Sequence, residues 1–313
     1  MVFIVLFDVF VANILSVATT MSLLPSVNLD INTYAYAHAL QSQSQLQTQA
    51  QTQAQAQHDT IDLFDNSSYN NYIKVFWVGL MDGDGSIQLN HLRSKSLQYR
   101  LIIKLSNLKS NYHMLIKIAK VIGGTVIITN NDADVIWVVN KKEDIKEIIK
   151  IYNTYPPLTS RIVCQLAFLK ACLTETSRNA YLLNRNQKYN KQLNMKISNV
   201  NFKAPFYFKG WLSGFIEAKG CFSVRKNNNH SFSIGHNYDF YLIDAIKQFL
   251  GVTNQIINPY AKFYFLEIYK KQVLLNIINH CANYPLMGGK LESLNKIKSN
   301  QTKPNQAKQK LPC

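Results

Sequence analysis

The stretch Trp77–Gly85, W-V-G-L-M-D-G-D-G, decides the reading of this 313-residue chain, because a second stretch, Leu212–Gly220, L-S-G-F-I-E-A-K-G, repeats its layout. In each, an apolar run carries small residues four apart, Gly79 with Gly83 and Gly214 with Ala218. On a helix that spacing puts both small residues on one face. Two such helices can approach backbone to backbone, closer than the usual ~8–10 Å. Their C-terminal ends then become neighbours. The first stretch brings Asp82 and Asp84 to that end, the second Glu217 and Lys219. Residues two apart face different sides of a helix, so within each stretch the two charged residues have different surroundings. An anion at a helix C-terminus is electrostatically unfavourable, so Asp84 there asks for a reason. Acidic side chains on adjoining helix ends can hold divalent cations with a scissile phosphate between them.

Working outward, each stretch opens the same succession of elements. In the first unit the pattern predicts a helix over 72–82, strands over 86–92 and 98–105, and a helix over 111–122 closed by Gly123-Gly124. Strands over 125–130 and 135–140 and a helix over 142–152 follow, before Tyr155-Pro156. The second unit predicts helix 206–218, strands 221–226 and 231–236, helix 239–250 ended by Gly251, strands 254–258 and 262–269, and helix 272–281, before Tyr284-Pro285. Two copies of α-β-β-α-β-β-α imply an α+β fold of two pseudo-symmetric halves that pack as one body, since either alone leaves apolar faces uncovered. The expected boundaries are 69–176 and 204–300, with a linker over 177–203 and a basic tail over 301–313. A further amphipathic helix is expected over 161–173.

The strands alternate. In Ser86-Ile87-Gln88-Leu89-Asn90 the polar residues share one face and the apolar ones the other, the pattern of a sheet with helices on one side. Gln98, Arg100, Lys104 and Ser106 extend the polar face on the next strand, and Ser223, Arg225, Asn227, Ser231 and Ser233 are the second-unit counterparts. Arginine can read guanine, and glutamine or asparagine adenine, in the major groove. Arg93 and Lys95 in the intervening turn suit phosphates. The linker carries six Lys or Arg between Arg178 and Lys203 and no acid, a composition that suits a phosphate-gripping crossing as well as a solvated loop.

Thirty-four Lys and Arg against 18 Asp and Glu give a formal charge of +16, which calls for a polyanionic partner. With 47% apolar residues the chain has enough for large cores, which excludes a mostly disordered protein. Five scattered cysteines without a C-x-x-C pair argue against a disulfide framework or a zinc site and fit a reducing compartment. The seven histidines form no ligand motif either. Residues 1–27 are mostly apolar, with Asp8 interrupting the run and no base preceding it, unlike a secretory signal. A short membrane span, an interfacial helix and sequence carried over from an upstream exon remain open for them. The Gln-alternating tract at 41–57 places residues 28–68 in a low-complexity linker.

Both nonamers resemble the LAGLIDADG motif of homing endonucleases and intron maturases. The first keeps Gly79, Leu80, Asp82, Asp84 and Gly85, and the second Leu212, Gly214, Ile216, Ala218 and Gly220, with Glu217 for the first acid. The resemblance implies a monomer with an antiparallel, DNA-binding saddle and two packed motif helices. It also implies a mitochondrial, intron-encoded origin and magnesium-dependent, site-specific cleavage of double-stranded DNA. The acid at the eighth motif position, Asp84, is implied to bind metal and act in catalysis, with Asp82 structural. In the second motif that position is Lys219, which does not ligate a cation, so one centre is implied to be impaired, which leaves nicking, weak cleavage or binding alone as the outcomes. The resemblance further implies a basic residue after each Tyr-Pro turn, Arg161 and Lys290. The alternative within the family is a maturase that assists splicing of its own intron RNA without cutting DNA. A membrane-tethered basic protein is the rival from another class.

Overall fold

In the computed structural model the chain divides into two units, Met1–Asp65 and Asn66–Cys313. The described residues are 66–92, 96–174, 178–192, 202–224 and 229–301, all in the second unit. The N-terminal apolar segment, the Gln tract, Arg93, Lys95, Arg225, Asn227 and the tail beyond Gln301 lie outside them.

The first half runs α1 (Asn66–Asp84), β1 (Gly85–Leu92), β2 (Ser96–Ser106), α2 (Lys109–Ile122), β3 (Thr125–Thr129), β4 (Asp134–Val139), α3 (Lys142–Thr154) and α4 (Ser160–Thr174). After α5 (Arg178–Asn184) and a 3-10 turn, the second half runs α6 (Phe208–Lys219), β5 (Gly220–Val224), β6 (His230–Asn237), α7 (Phe240–Leu250), β7 (Ile257–Tyr260), β8 (Phe263–Ile268), α8 (Lys271–Asn283) and α9 (Gly289–Gln301). Each half builds one antiparallel sheet, in the orders β1-β2-β4-β3 and β5-β6-β8-β7. The expected two-fold repeat is therefore present. Gly251 closes α7 in the left-handed region, φ 70°, where only glycine lacks a steric penalty.

Three local differences have physical reasons. The first described part of the expected linker, read as a crossing or loop, forms α5, because β1 is a sheet edge whose outward backbone groups need partners. The Gln165 side chain accepts from Ile87 N–H at 2.8 Å, and the buried Tyr181 of α5 donates to Leu89 O at 3.1 Å. The edge strand β7 begins at Ile257 rather than 254, since Asn254 instead uses its side chain to donate to Glu267 O. Pro259 lacks an N–H to pair, and the register shifts between Ile257 and Tyr260. Finally, α9 is an element the sequence reading leaves unassigned. It is the counterpart of α4 and buries Leu294 and Ile297.

The core centres on α1 and α6, packed against each other. A methyl added at Gly79 would collide with Trp211 O, and one at Gly214 with Phe76 O, the symmetric contact. Gly83 faces the Ala218 methyl in the same seam. The two small residues of each motif are thus what lets the backbones touch. Around this seam each half ties itself to the other half's post-proline turn. Tyr72 Oη donates to Pro285 O at 2.7 Å and Tyr207 Oη to Pro156 O at 2.6 Å. Asn111 accepts from Gly289 N–H, and Asp239 from Ser160 N–H.

Candidate functional site

The C-terminal ends of α1 and α6 meet where β1 and β5 begin, and the four charged side chains there divide into two pairs with different tasks. Asp82 is fully buried. Its carboxylate accepts from Leu158 N–H (2.7 Å), Thr159 N–H (3.2 Å), Thr159 Oγ1 (2.6 Å) and Trp211 Nε1 (2.7 Å). Burial pushes this carboxyl up from its usual range, while the four hydrogen bonds pull it down. All four partners are donors, the arrangement an ionised carboxylate requires. Glu217 repeats the role in the second half, accepting from Met287, Gly288 and Lys290 N–H. Burial raises it too, opposed by those three bonds and the Lys290 charge. The sixth motif position is therefore structural in both halves: it fastens the start of α4 or α9 to the motif helix.

Asp84 differs. It is half-exposed at the mouth of the seam, and its Oδ1 accepts from Lys219 Nζ of the other motif at 2.7 Å. The sequence reading placed the two residues in separate centres; the structure makes them an ion pair across the seam. Arg161 adds a second cation. Its guanidinium donates to Gly85 O (2.6 Å), Asp82 O (2.9 Å) and Gly83 O (3.2 Å), capping the end of α1. Positive charge there complements the helix dipole. Lys219 and Arg161 together explain how Asp84 is tolerated at a helix C-terminus. Lys290, the counterpart of Arg161, lies half-buried beside Glu217. A cleft of about 420 Å³ opens beside the pair, lined by Gly83, Arg161, Lys219, Tyr189, Gln192 and Asn237, among others.

As a cation site this donor set is sparse. Among the described residues no three His, Cys, Asp or Glu side chains gather to hold an ion. A hard divalent cation such as magnesium keeps much of its water and needs only one or two carboxylates beside a phosphate. Asp84 meets that minimum for one ion, in competition with the Lys219 ammonium. For two ions the residues do not suffice.

The strand residues singled out by sequence fall where alternation places them. Register pairs Gln88 with Arg100 and Asn90 with Gln98, while Ile87, Leu101 and Ile103 pack inward. Ser86, Gln88, Asn90, Gln98, Arg100 and Lys104 therefore share the face away from the helices. Lys104 bonds Asp134 of β4 at 2.7 Å, and with Asn130 holds that carboxyl below its usual range. In the second half Ser223 pairs with Ser231 and Cys221 with Ser233 on the same outer face. Ser231 is only 4% exposed, so it offers little surface. None of Cys164, Cys172, Cys221 and Cys281 is in a disulfide. His280 is buried and bonds Ser213. No helix among the described residues is long and apolar enough to cross a membrane. Sequence reasoning missed the Asp84–Lys219 pair and the cross-half ties of Asn111 and Asp239. Superposing the two repeats on their Tyr-Pro turns would have pointed to the ties.

Comparison with known proteins agrees with this geometry. The family model described as LAGLIDADG endonuclease matches residues 77–172 and 212–301. The chain belongs to the LAGLIDADG endonuclease family. It is 51% identical over 277 residues to a probable intron-encoded endonuclease aI3 of Debaryomyces hansenii, covering 74% of this chain and 40% of that protein. The chain thus spans well under half of that relative's length. A protein of the same name in Dictyostelium citrinum is 42% identical over 233 residues, covering 72% of this chain and 94% of its own. Among solved structures, the meganuclease I-CpaMI bound to uncleaved DNA has a TM-score of 0.56 at 18% identity, covering 72% of this chain and 90% of that one. I-LtrWI bound to target DNA has 0.55 at 19%, covering 76% and 99%. These neighbours share the fold of two half-domains.

Proposed function

We propose that this protein is an intron-encoded, mitochondrial homing endonuclease that binds a long, asymmetric double-stranded DNA site as a monomer and cuts it at the Asp84 centre, mainly in one strand. The observation that carries the reading is the seam itself: two motif helices deliver a lone carboxylate and a lysine to the point between two sheets whose outer faces carry polar side chains. The names of the relatives and the DNA in the neighbours' structures support duplex DNA over intron RNA as the partner.

In this reading Gln88, Asn90, Gln98, Arg100 and Lys104 face base edges, with Arg93, Arg225 and Asn227 as further contacts. Arg161 holds the end of α1 rigid, so Asp84 keeps its position. Asp84 would hold the magnesium ion, which supplies Lewis acidity and an activated water at the phosphate. Phosphate oxygens arriving at the cleft compete for the Lys219 ammonium and draw it from Asp84. Lys219 then neutralises phosphate charge in place of a second carboxylate-bound ion.

Purified protein with magnesium, used to select bound and cleaved duplexes from a random library, tests the reading. A single enriched long site with a nick is the supporting result. Affinity should also fall steeply between low and moderate salt, as displaced counterions require. Salt-independent binding, or no enrichment, would remove the DNA assignment.

A further inference from the structure

The two sheet faces that bear on this proposed duplex are built from different chemistry. Equivalent positions follow from the register, because Gly85 opposite Ile103 in the first sheet corresponds to Gly220 opposite Ile234 in the second. Counting along the strands, Lys104 corresponds to Gly235, Asp134 to Phe263 and Ile136 to Phe265. The first half thus puts an ion pair, Lys104 with Asp134, at two of these places and Ile136, paired with Ile127, at the third. In the second half glycine replaces the lysine, and the Phe263 ring lies over it: a Cβ on Gly235 would come within 2.6 Å of Phe263 Cζ. Phe263 stacks beside Phe265 at 6.0 Å between ring centres, and Tyr260 adjoins Phe263. Ile257 pairs with Phe265 across the strands, and Tyr260 with Phe263. Ile257 is 48% and Tyr260 74% exposed. The remaining outer positions of β5 and β6 are Cys221, Ser223, Ser231 and Ser233, all short, and Asn237 at the strand end opposite Phe263.

A contiguous exposed apolar row on an otherwise basic protein marks a contact surface. Its continuity with the polar face of the same sheets assigns it to the same partner. The apolar feature of a duplex major groove is the thymine C5-methyl, and aromatic or aliphatic side chains recognise it by contact.

We infer that the two half-sites are read by different chemistry. The first half reads hydrogen-bonding base edges through Gln88, Asn90, Gln98 and Arg100. The second reads thymine methyls through Ile257, Tyr260, Phe263 and Phe265, so its half-site is rich in A·T pairs. The inference rests on the duplex-DNA reading above.

The test uses the full chain and its selected duplex. Arg100→Ala identifies the first half-site, as the half whose base preferences it relaxes. Deoxyuridine then replaces thymine in one half-site at a time, removing only methyl groups. Each methyl lost from a buried contact weakens binding about fourfold, so two or more contacts in the second half should cost more than tenfold, against no more than about fourfold in the first, where Ile127 holds the place of Ile257. Phe265→Ser should abolish that discrimination. Ile257→Thr, a β-branched change at an exposed edge position, should reduce it with folding retained.

A second half-site without thymine enrichment, or equal uridine effects in both halves, overturns the inference and leaves DNA binding standing. Weakened binding of the variants to single-stranded intron RNA, with duplex affinity unchanged, overturns it in favour of base stacking on RNA. No enriched duplex at all overturns both this inference and the reading beneath it.

Discussion

Asp82→Asn removes a charge at the point where α1, the Leu158-Thr159 turn and Trp211 converge, and its cost can be worked from four hydrogen bonds. One carboxylate oxygen serves Leu158 N–H and Trp211 Nε1, the other Thr159 N–H and Thr159 Oγ1. Asparagine does best by keeping its oxygen on the first pair. Its amide group then faces the Thr159 hydroxyl, which can rotate to accept, and the Thr159 N–H, which cannot. One buried donor is left without an acceptor, about 1–3 kcal/mol. The surviving bonds also change from charge-assisted to neutral, losing roughly half their strength. The sum is about 3–5 kcal/mol, and for a body of this size about 10 °C in melting temperature. Differential scanning calorimetry of residues 66–313, natural and substituted, is the assay. Glu217→Gln should behave alike through the lost Lys290 N–H acceptor. A loss under about 2 °C for Asp82→Asn, accompanied by abolished cleavage, would show that Asp82 belongs to the reacting centre and not to the frame.

Gly79→Ala should destabilise by about 2 kcal/mol or more in urea titration, despite alanine's helix propensity, because the added methyl meets the Trp211 backbone. His280 is buried, and burial lowers its pKa from 6.5 to about 4. Unfolded chains therefore take up its proton first. The histidine's share of stability is complete above pH 6.5 and lost as pH falls towards 4, up to ~3 kcal/mol. His280→Gln should flatten the stability profile by that amount between pH 7 and 4, whereas parallel profiles would refute the linkage.

The repeat, most element positions and the inward and outward faces of the strands were legible because each rests on local periodicity. Gly79 and Gly214 announced the seam, since four-residue spacing of small residues has one geometric use on a helix. The weakly amphipathic α9 was not legible. Its buried Leu294 and Ile297 stand among Lys, Ser and Asn, and Gly288-Gly289 reads as a stop. Nor was α5, whose order comes from the needs of the β1 edge and not from its own sequence. The pairing of Asp84 with Lys219 required two residues 135 positions apart to be set in space. The sequence showed that Lys219 fails to supply a carboxylate. It could not show that the lysine also occupies the carboxylate that remains.

The central claim is that the centre holds one metal-binding acid, restrained by a lysine, and the direct measurement is magnesium-dependent cutting of a supercoiled plasmid bearing the intronless target. The natural protein should give mostly nicked circles. Lys219→Asp, which supplies the second carboxylate and removes a charge that repels cations at close range, should give linear product with little change in DNA affinity. Asp84→Asn should give no product while still binding. Full linearisation by the natural protein, or undiminished cutting by Asp84→Asn, would contradict the account.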